Sequence, residues 1–334
     1  MAQFLKDIKL IDYFENPHLV TILLWNLNST NFEETSSKLF QMISSSQASP
    51  QNVLNLISKF SNFQEKRIVE YTRLYEMILK EFNLNLEPNS YILTSLLYYR
   101  GVIFDEYFRS CFSEERIIDI YPKDSPYYYI VWDKIDELKS KFKDLDPNFK
   151  YNKFFTPLEV ACQFGSEECF TYLRSIGAKY TQKTSKYACG GRSTNIFYQM
   201  IRDNQKFDNL IGEALTYRNF EVADYLFTRF GQKPTSVTEF ILNANYDVVS
   251  YIFVNGGDAN EVYILNIIMK LRVSFIRLWN SQSSHIFHCF TKLSLISHLL
   301  LYYDVCFHFI YFIVLSHYFY FHIHYYIIIS FIFL

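Results

Sequence analysis

The sequence predicts an all-α protein in which a helical N-terminal module is followed by an ankyrin-like array of helix pairs and by a hydrophobic C-terminal tail. Three observations predict this fold class. The 334 residues include only nine Gly and eight Pro but 33 Phe and 28 Tyr, so the chain lacks the turn residues of many-stranded β-proteins. Apolar residues recur at helical spacing in the first half of the chain. Further on, apolar residues return at intervals of 26 or 27 residues.

Charge and cysteine content exclude several classes of function. The 32 Lys and Arg residues nearly balance the 34 Asp and Glu residues, so the chain lacks the basic excess that phosphate contacts require. We therefore expect no nucleic-acid partner. The six cysteines stand at irregular spacing without a CxxC pair, which indicates reduced thiols and a cytoplasmic location. The apolar residues 18–27 follow acidic residues rather than a basic leader, so we expect no secretory signal.

Residues 1–150 are predicted to form a helical module of unknown function. Asn31 and Glu34 have the spacing of a capping box, in which each side chain satisfies a backbone amide at a helix start. Ser49 followed by Pro50 marks a second helix start, because proline in the first turn loses no needed donor.

The rest of this module contains two further predicted helices and a connector. Apolar residues at helical spacing over residues 68–82 predict an amphipathic helix. Asn89 is the predicted cap of the next helix, which Gly101 is placed to end. Three prolines interrupt residues 122–147, which we interpret as a connector around one helix near residues 132–142.

The passage that starts at Thr156 has the residues of a short helix pair. A threonine cap, a first-turn proline and an apolar face with a small residue predict the first helix. Glycines predict the turn and the end of the second helix. These positions are Thr156, Pro157, Leu158, Ala161, Gly165, Cys169, Leu173 and Gly177.

Three positions of this helix pair return downstream at one interval. The first gives Cys169, Ile196, Val222 and Val248; the second gives Leu173, Met200, Leu226 and Ile252; the small position gives Ala161, Ala188 and Ala214, until Phe240 breaks it. Such a period is typical of stacked units that bury their faces only against their neighbours. We therefore predict about four degenerate repeats over residues 151–262, with these residues as their framework.

The repeated passage resembles an ankyrin repeat, whose helix pair begins T-P-L-H-x-A and ends with a Gly-Ala pair. The matching residues are Thr156, Pro157, Leu158, Ala161, Gly165, Leu173, Gly177 and Ala178. Glu159 stands where the family usually has His, so we do not expect the hydrogen bonds that this His makes to neighbouring loops. The period is also shorter than the usual one of about 33 residues.

More closely, the chain resembles a large family of degenerate ankyrin proteins of parasitic protists that carry a helical N-terminal domain of unknown function. The resemblance covers roughly residues 60–262. It rests on residues 91–105, residues 161–173 and the pair Gly190-Gly191. It implies a protein-binding solenoid with an undefined partner and no catalysis.

No motif in the sequence points to catalysis or to a metal. The patterns GxxxxGK[ST], GxGxxG, HExxH and GxSxG are absent from the chain. Cys162, Cys169 and Cys189 have no His near them in the sequence, and we interpret them as small apolar residues at helix contacts. The closely spaced His pairs 285/288 and 322/324 lack a carboxylate or Cys that would complete a metal site. We expect no catalytic residue, no cofactor and no metal.

The end of the chain differs in composition from the rest. Residues 305–334 contain no Asp, Glu, Lys or Arg, and this run exceeds the about 20 residues that cross a bilayer. Two interpretations stay open. Residues 305–333 are a C-terminal membrane anchor that leaves the repeats facing the cytoplasm, or residues 263–334 are an out-of-frame tail that was not selected for structure.

The sequence therefore predicts a non-catalytic scaffold or adaptor that binds a protein partner on the surface of its solenoid. The candidate contact residues lie near the intervals between paired helices: Gln163, Phe164, Lys179, Tyr180, Tyr217, Arg218, Asn245 and Tyr246. The alternative is a tethering protein that is membrane-anchored at its C-terminus and carries cytoplasmic ankyrin-like repeats. The sequence does not identify the partner in either case.

Overall fold

The computed structural model describes residues 2–6, 8–151 and 154–257, which all belong to one compact unit, Met1–Val262. These residues form sixteen α-helices and no β-strand. The all-α fold class is therefore confirmed for this part of the chain.

The predicted hydrophobic tail, residues 263–334, lies outside the described residues. The same holds for the predicted membrane segment, residues 305–333. Among the helices that the structure does describe, none combines the length and the apolar character that crossing a bilayer requires.

Five helices form the first packed layer of the molecule. They are α1 (Glu15–Trp25), α2 (Phe32–Ser44), α3 (Pro50–Phe63), α4 (Ile68–Glu81) and α5 (Tyr91–Tyr99). Their apolar faces share one hydrophobic core, in which Tyr71 and Tyr75 of α4 are fully buried. The predicted helix starting at Pro50 and the predicted amphipathic helix over residues 68–82 are thus confirmed.

Two predicted helix caps differ in detail from the structure. Asn31 is the residue before α2, but its side chain closes the preceding turn instead: Oδ1 accepts a hydrogen bond from the N–H of Asn28 at 2.8 Å, and Nδ2 donates to the carbonyl of Asn26 at 2.9 Å. A side chain that satisfies a local turn no longer caps the helix. Helix α5 is capped by the hydroxyl of Ser90 rather than by Asn89.

The segment of residues 122–147, which we interpreted as a connector around one helix, contains two helices, α7 (Pro126–Val131) and α8 (Ile135–Lys141), and a further helix, α6 (Glu114–Asp119), precedes it. Helix α8 confirms the helix predicted near residues 132–142, whereas α6 and α7 were not predicted. Helix α7 begins with Pro126 after the capping hydroxyl of Ser125. Here proline starts a helix, as it does at a first helical position in general, and does not interrupt one.

Four helix pairs follow in the chain. They are α9 (Pro157–Phe164) with α10 (Glu167–Ser175), α11 (Gln182–Gly190) with α12 (Thr194–Arg202), α13 (Ile211–Thr216) with α14 (Phe220–Phe230), and α15 (Val237–Leu242) with α16 (Tyr246–Val254). The two helices of each pair contact each other. Helix α11 also contacts α9 and α13, and α12 contacts α10 and α14. The earlier helices α7 and α8 pack on α9 and α10 in the same way.

The structure places the predicted framework residues at the contacts within and between these pairs. The residues of all three ladders lie in one hydrophobic core: Ala161, Cys169, Leu173, Ala188, Ile196, Met200, Ala214, Val222, Leu226, Phe240, Val248 and Ile252. Leu158 is fully buried with them, and Thr156 with Pro157 forms the start of α9. Gly165 and Gly177 have positive φ angles of 69° and 94°, which glycine adopts without strain.

A segment at the N-terminus packs against the far end of the array. The 3₁₀ turn Gln3–Leu5 contacts both α14 and α16. The ring of Phe4 stacks on Phe227 at 4.4 Å between centroids and meets Tyr251 edge-on at 5.1 Å. The first N–H of the turn donates to both carboxylate oxygens of Asp224, at 2.7 and 2.6 Å. The chain thus returns its N-terminus to its last two helix pairs.

Candidate functional site

A groove of about 330 Å³ lies between the helix pairs and the first helical layer, and we name it the inner groove. One wall consists of Gln163 with Phe164, residues 190–192 and residues 217–219. The opposite wall consists of Trp25, residues 62–65 and Arg67, at the ends of α1 and α3 and in the turn that follows α3. The first wall uses one position in three consecutive units, because the residues Phe164, Gly191 and Tyr217 are separated by 27 and 26 positions.

Close backbone contacts fix the turn at the end of α11. A Cβ atom on Gly191 would lie 2.1 Å from the carbonyl oxygen of Cys162, which is less than any real contact. A Cβ atom on Gly190 would lie 2.8 Å from the ring of Tyr217. The wall of the groove is therefore tightly packed where neighbouring units meet, and only glycine fits there.

A row of polar side chains links consecutive helix pairs along the wall of the groove. The amide of Asn219 donates to the carbonyls of Cys189 and Gly191, at 3.1 and 3.0 Å, and the amide of Asn245 donates to the carbonyl of Leu215 at 3.1 Å. The row follows the ladder interval: Ser166, Ser193, Asn219 and Asn245. The apolar ladders do not indicate this polar row, although its signal in the sequence is a Ser or Asn at the same interval.

Aromatic rings line one end of the inner groove. Phe63 and Tyr217 meet edge-on across it, with centroids 5.3 Å apart. The guanidinium carbon of Arg218 lies 5.4 Å from the ring centroid of Trp25, at a distance that gives cation–π attraction. The two walls are thus joined by ring contacts at this end.

Three arginines and two glutamates line the rest of the inner groove. The carboxylate of Glu213 forms a salt bridge with the ammonium group of Lys186, which does not line the groove, at 3.5 Å between Oε2 and Nζ. Arg67 donates a hydrogen bond to the carbonyl of Trp25 at 2.7 Å. It forms no salt bridge with a carboxylate among the described residues. Glu65 is the remaining acidic group of the groove.

The other two arginines also lack an ion pair with any described residue. Arg192 is partly exposed where it lines the groove, and its guanidinium makes no hydrogen bond within the described part of the chain. Arg218 donates through Nη2 to the carbonyl of Ala244 at 2.9 Å, while its buried Nε has no partner. The groove therefore contains more positive than negative charge.

Burial is the largest cause of the pKa shifts of Arg192 and Glu65 in the groove. Burial, and second the neighbouring charge of Arg67, lower the pKa of Arg192. Burial raises the pKa of Glu65, and the charge of Arg192 opposes this rise. Both charged forms are thus poorly solvated, which is the condition under which an added counter-ion is most stabilising.

The structure divides the eight candidate contact residues into two sets. Gln163, Phe164, Tyr217 and Arg218 line the inner groove, whereas Lys179, Tyr180, Asn245 and Tyr246 do not. Asn245 is fully buried, and its amide donates to the carbonyl of Leu215. It therefore links neighbouring helix pairs and cannot contact a protein partner. Tyr246 packs on Phe14 at 5.0 Å, and Tyr180 donates to Asp203 at 2.6 Å.

Nothing in the described residues assembles a metal site, since no three His, Cys, Asp or Glu side chains converge there. The cysteines Cys162, Cys169 and Cys189 are buried, as expected for apolar packing residues. Burial raises the pKa of each of these thiols, so they are protonated at neutral pH. Cys111 is exposed and lies outside the groove.

Comparison of the chain with known protein families, with curated proteins and with solved structures finds no match. The resemblance to ankyrin repeats therefore stays a prediction from the sequence.

Proposed function

We propose that the chain is a non-catalytic binding protein whose ankyrin-like helix pairs hold a protein partner in the inner groove. One observation carries this proposal: a single turn position from three consecutive units lines one wall of the groove. The side chain at this position differs between Phe164 and Tyr217, and it is absent at Gly191, where the close contact with Cys162 admits only glycine. Repeat proteins that bind other proteins combine a fixed framework with variable surface positions in this way.

The composition of the groove supports protein binding. Trp, Tyr and Arg are the residues that contribute most to protein interfaces, and the groove contains Trp25, Tyr187 and Tyr217 besides its arginines. Four side-chain amides complete the lining, and among them Gln163 makes no hydrogen bond to a described residue, so it offers a partner both a donor and an acceptor. The other three, Asn62, Gln64 and Asn219, bond within the fold. Such a surface suits recognition of a polypeptide, which presents apolar, polar and charged groups together.

A steric block of the groove tests the proposal. Gln163 is half-buried in the groove wall and its side chain makes no hydrogen bond to a described residue, so Gln163→Trp narrows the groove at little cost to the fold. Gln182→Trp at the exposed start of α11 is the matched control. The full chain and both variants are used as baits, and the captured proteins are quantified by mass spectrometry.

We expect the unchanged chain and Gln182→Trp to capture the same partner, and Gln163→Trp to lose it. Thermal unfolding of the three proteins shows whether each remains folded. Equal capture of every protein by a folded Gln163→Trp variant would mean that the inner groove is not the binding surface.

The uncharged run of residues 305–334 favours one second candidate function, a C-terminally anchored tether. In this case the helix pairs hold a partner at a membrane. The full chain would then stay in the pellet when membranes are extracted with alkaline carbonate. Release of the full chain into the supernatant would exclude the anchor and leave the binding proposal unchanged.

A further inference from the structure

The inner groove holds cationic groups for which the chain provides too few anions. Arg67, Arg192 and Arg218 line the groove, and none has an ion pair among the described residues. Glu65 is the one acidic lining group that no Lys or Arg approaches within salt-bridge distance. Partly buried cations in this state are stabilised by an anion that arrives with a ligand.

The two walls present these cations to each other. Arg67 belongs to the turn Glu65–Arg67 between α3 and α4, and Arg192 belongs to the turn between α11 and α12. Both side chains line the same groove of about 330 Å³. Burial first and the charge of Arg67 second lower the pKa of Arg192. A group placed between them is therefore approached by guanidinium donors from both walls.

A fourth cation borders the same wall. The ammonium group of Lys66 lies between two rings, 5.4 Å from the centroid of Trp132 and 5.7 Å from that of Phe164. Phe164 is itself part of the groove lining. The positive charge of the groove thus extends along the turn that carries Arg67.

On the basis of the proposed function, we infer that the inner groove binds an acidic segment of the partner protein, with an Asp or Glu carboxylate held between Arg67 and Arg192. Guanidinium groups recognise carboxylates because their paired N–H donors match the two carboxylate oxygens. The aromatic end of the groove, with Trp25, Phe63 and Tyr217, receives neighbouring apolar side chains of the same segment.

A peptide fits this surface better than a nucleic acid does. A phosphate backbone needs a continuous basic track, whereas the arginines here are confined to a groove of about 330 Å³. One or two carboxylates satisfy the available arginines.

Selection of peptides followed by titration tests the inference. Phage-displayed random dodecapeptides are selected on the immobilised full chain, and enriched peptides are synthesised with fluorescein together with copies in which Gln or Asn replaces each Glu or Asp. Binding is then measured by fluorescence anisotropy. We expect enrichment of Asp and Glu, and about tenfold weaker binding of the amide copies, as for loss of one charge-assisted contact.

Variants of the chain identify the carboxylate site. Arg192→Gln is expected to weaken binding of the acidic peptides about tenfold, and Arg192→Lys to weaken it less, because the charge is kept. Lys183→Gln removes an exposed cation outside the groove and should leave binding unchanged. Circular dichroism confirms that the variants are folded.

The outcomes separate this inference from the proposed function. Enriched peptides without acidic residues, whose binding is lost in Gln163→Trp, would overturn the acidic ligand and leave the groove as the binding surface. Acidic peptides whose binding survives in Gln163→Trp would overturn both. Absence of any enriched peptide, or binding of a fluorescein-labelled oligouridine in competition with the peptides, would likewise overturn the inference.

Discussion

The carboxylate of Glu159 joins the start of its own helix to Thr181, the residue that caps the first helix of the next pair. Glu159 Oε2 accepts a hydrogen bond from the N–H of Thr156 at 2.9 Å, and Oε1 accepts one from the hydroxyl of Thr181 at 2.6 Å. Glu159 is only 1% exposed. A glutamate therefore links consecutive units at the position where the resemblance leads one to expect His.

Removal of this link should destabilise the array. Glu159→Ala leaves the N–H of Thr156 and the hydroxyl of Thr181 without their acceptor, and we expect the free energy of unfolding to fall by about 2–3 kcal/mol. Urea denaturation measures the change. The exposed Glu168 at the start of α10 is the control, and Glu168→Ala should cost less than about 0.5 kcal/mol. Equal effects of the two substitutions would show that the Glu159 link contributes nothing.

The close approach at the end of α11 leads to a second prediction. Gly191→Ala places a Cβ atom 2.1 Å from the carbonyl oxygen of Cys162, so the backbone must move and we expect a loss of about 3 kcal/mol. Gly212→Ala in α13 is the matched control, since its Cβ atom meets nothing nearer than 3.4 Å. Alanine also favours a helix over glycine, so this control should be neutral or stabilising by up to about 1 kcal/mol. Thermal unfolding of both variants measures the two changes in stability. A smaller loss of stability in Gly191→Ala than in Gly212→Ala would contradict the described packing.

The helix pairs could be predicted from the sequence because burial follows the repeat interval. The interval of 27 residues between Leu173 and Met200 predicted that both face a neighbouring helix pair, and both are fully buried. Caps such as Thr156 marked helix starts. A helix cap can be predicted because it depends on residues that are close together in the sequence.

The inner groove could not be predicted, since its walls come from distant parts of the chain. The repeat interval places Phe164 and Tyr217 on one wall, but no pattern indicates that residues 62–67 face them. Helix α7 was missed because Pro126 was interpreted as an interruption, although Ser125 before it is a helix cap, whereas α8 lies where a helix was predicted. How two helical layers meet depends on long-range packing that periodicity does not encode.

The N-terminal turn provides the third prediction. Phe4→Ala removes the ring contacts with Phe227 and Tyr251, and we expect the free energy of unfolding to fall by about 2 kcal/mol for this partly buried ring. Tyr13 is 83% exposed, so Tyr13→Ala is the aromatic control and should have almost no effect. Hydrogen exchange should also become faster in α14 and α16 of the Phe4 variant. Unchanged exchange in these helices would mean that the turn only rests on them.

Lys66 makes the stability of the protein depend on pH. Burial first and the charge of Arg192 second lower the pKa of the Lys66 ammonium from 10.5 to about 8, while Asp133 acts in the opposite direction. Between these values the unfolded chain binds more protons at Lys66 than the folded chain does. Stability therefore rises with pH in this window, by at most about 1.4 kcal/mol per pH unit, and the cost of charging Lys66 is fully present below pH 8.

The substitution Lys66→Met removes this charge and keeps an apolar side chain between Trp132 and Phe164. We expect the variant to be more stable than the unchanged chain at pH 7, and the difference to shrink as pH rises from 8 to 10. Tyrosine ionisation affects both proteins equally and cancels in the difference, which urea denaturation measures at each pH. The rings attract the ammonium group and oppose the effect of burial. A difference that does not change with pH would show that this attraction outweighs burial and that Lys66 keeps its ordinary pKa.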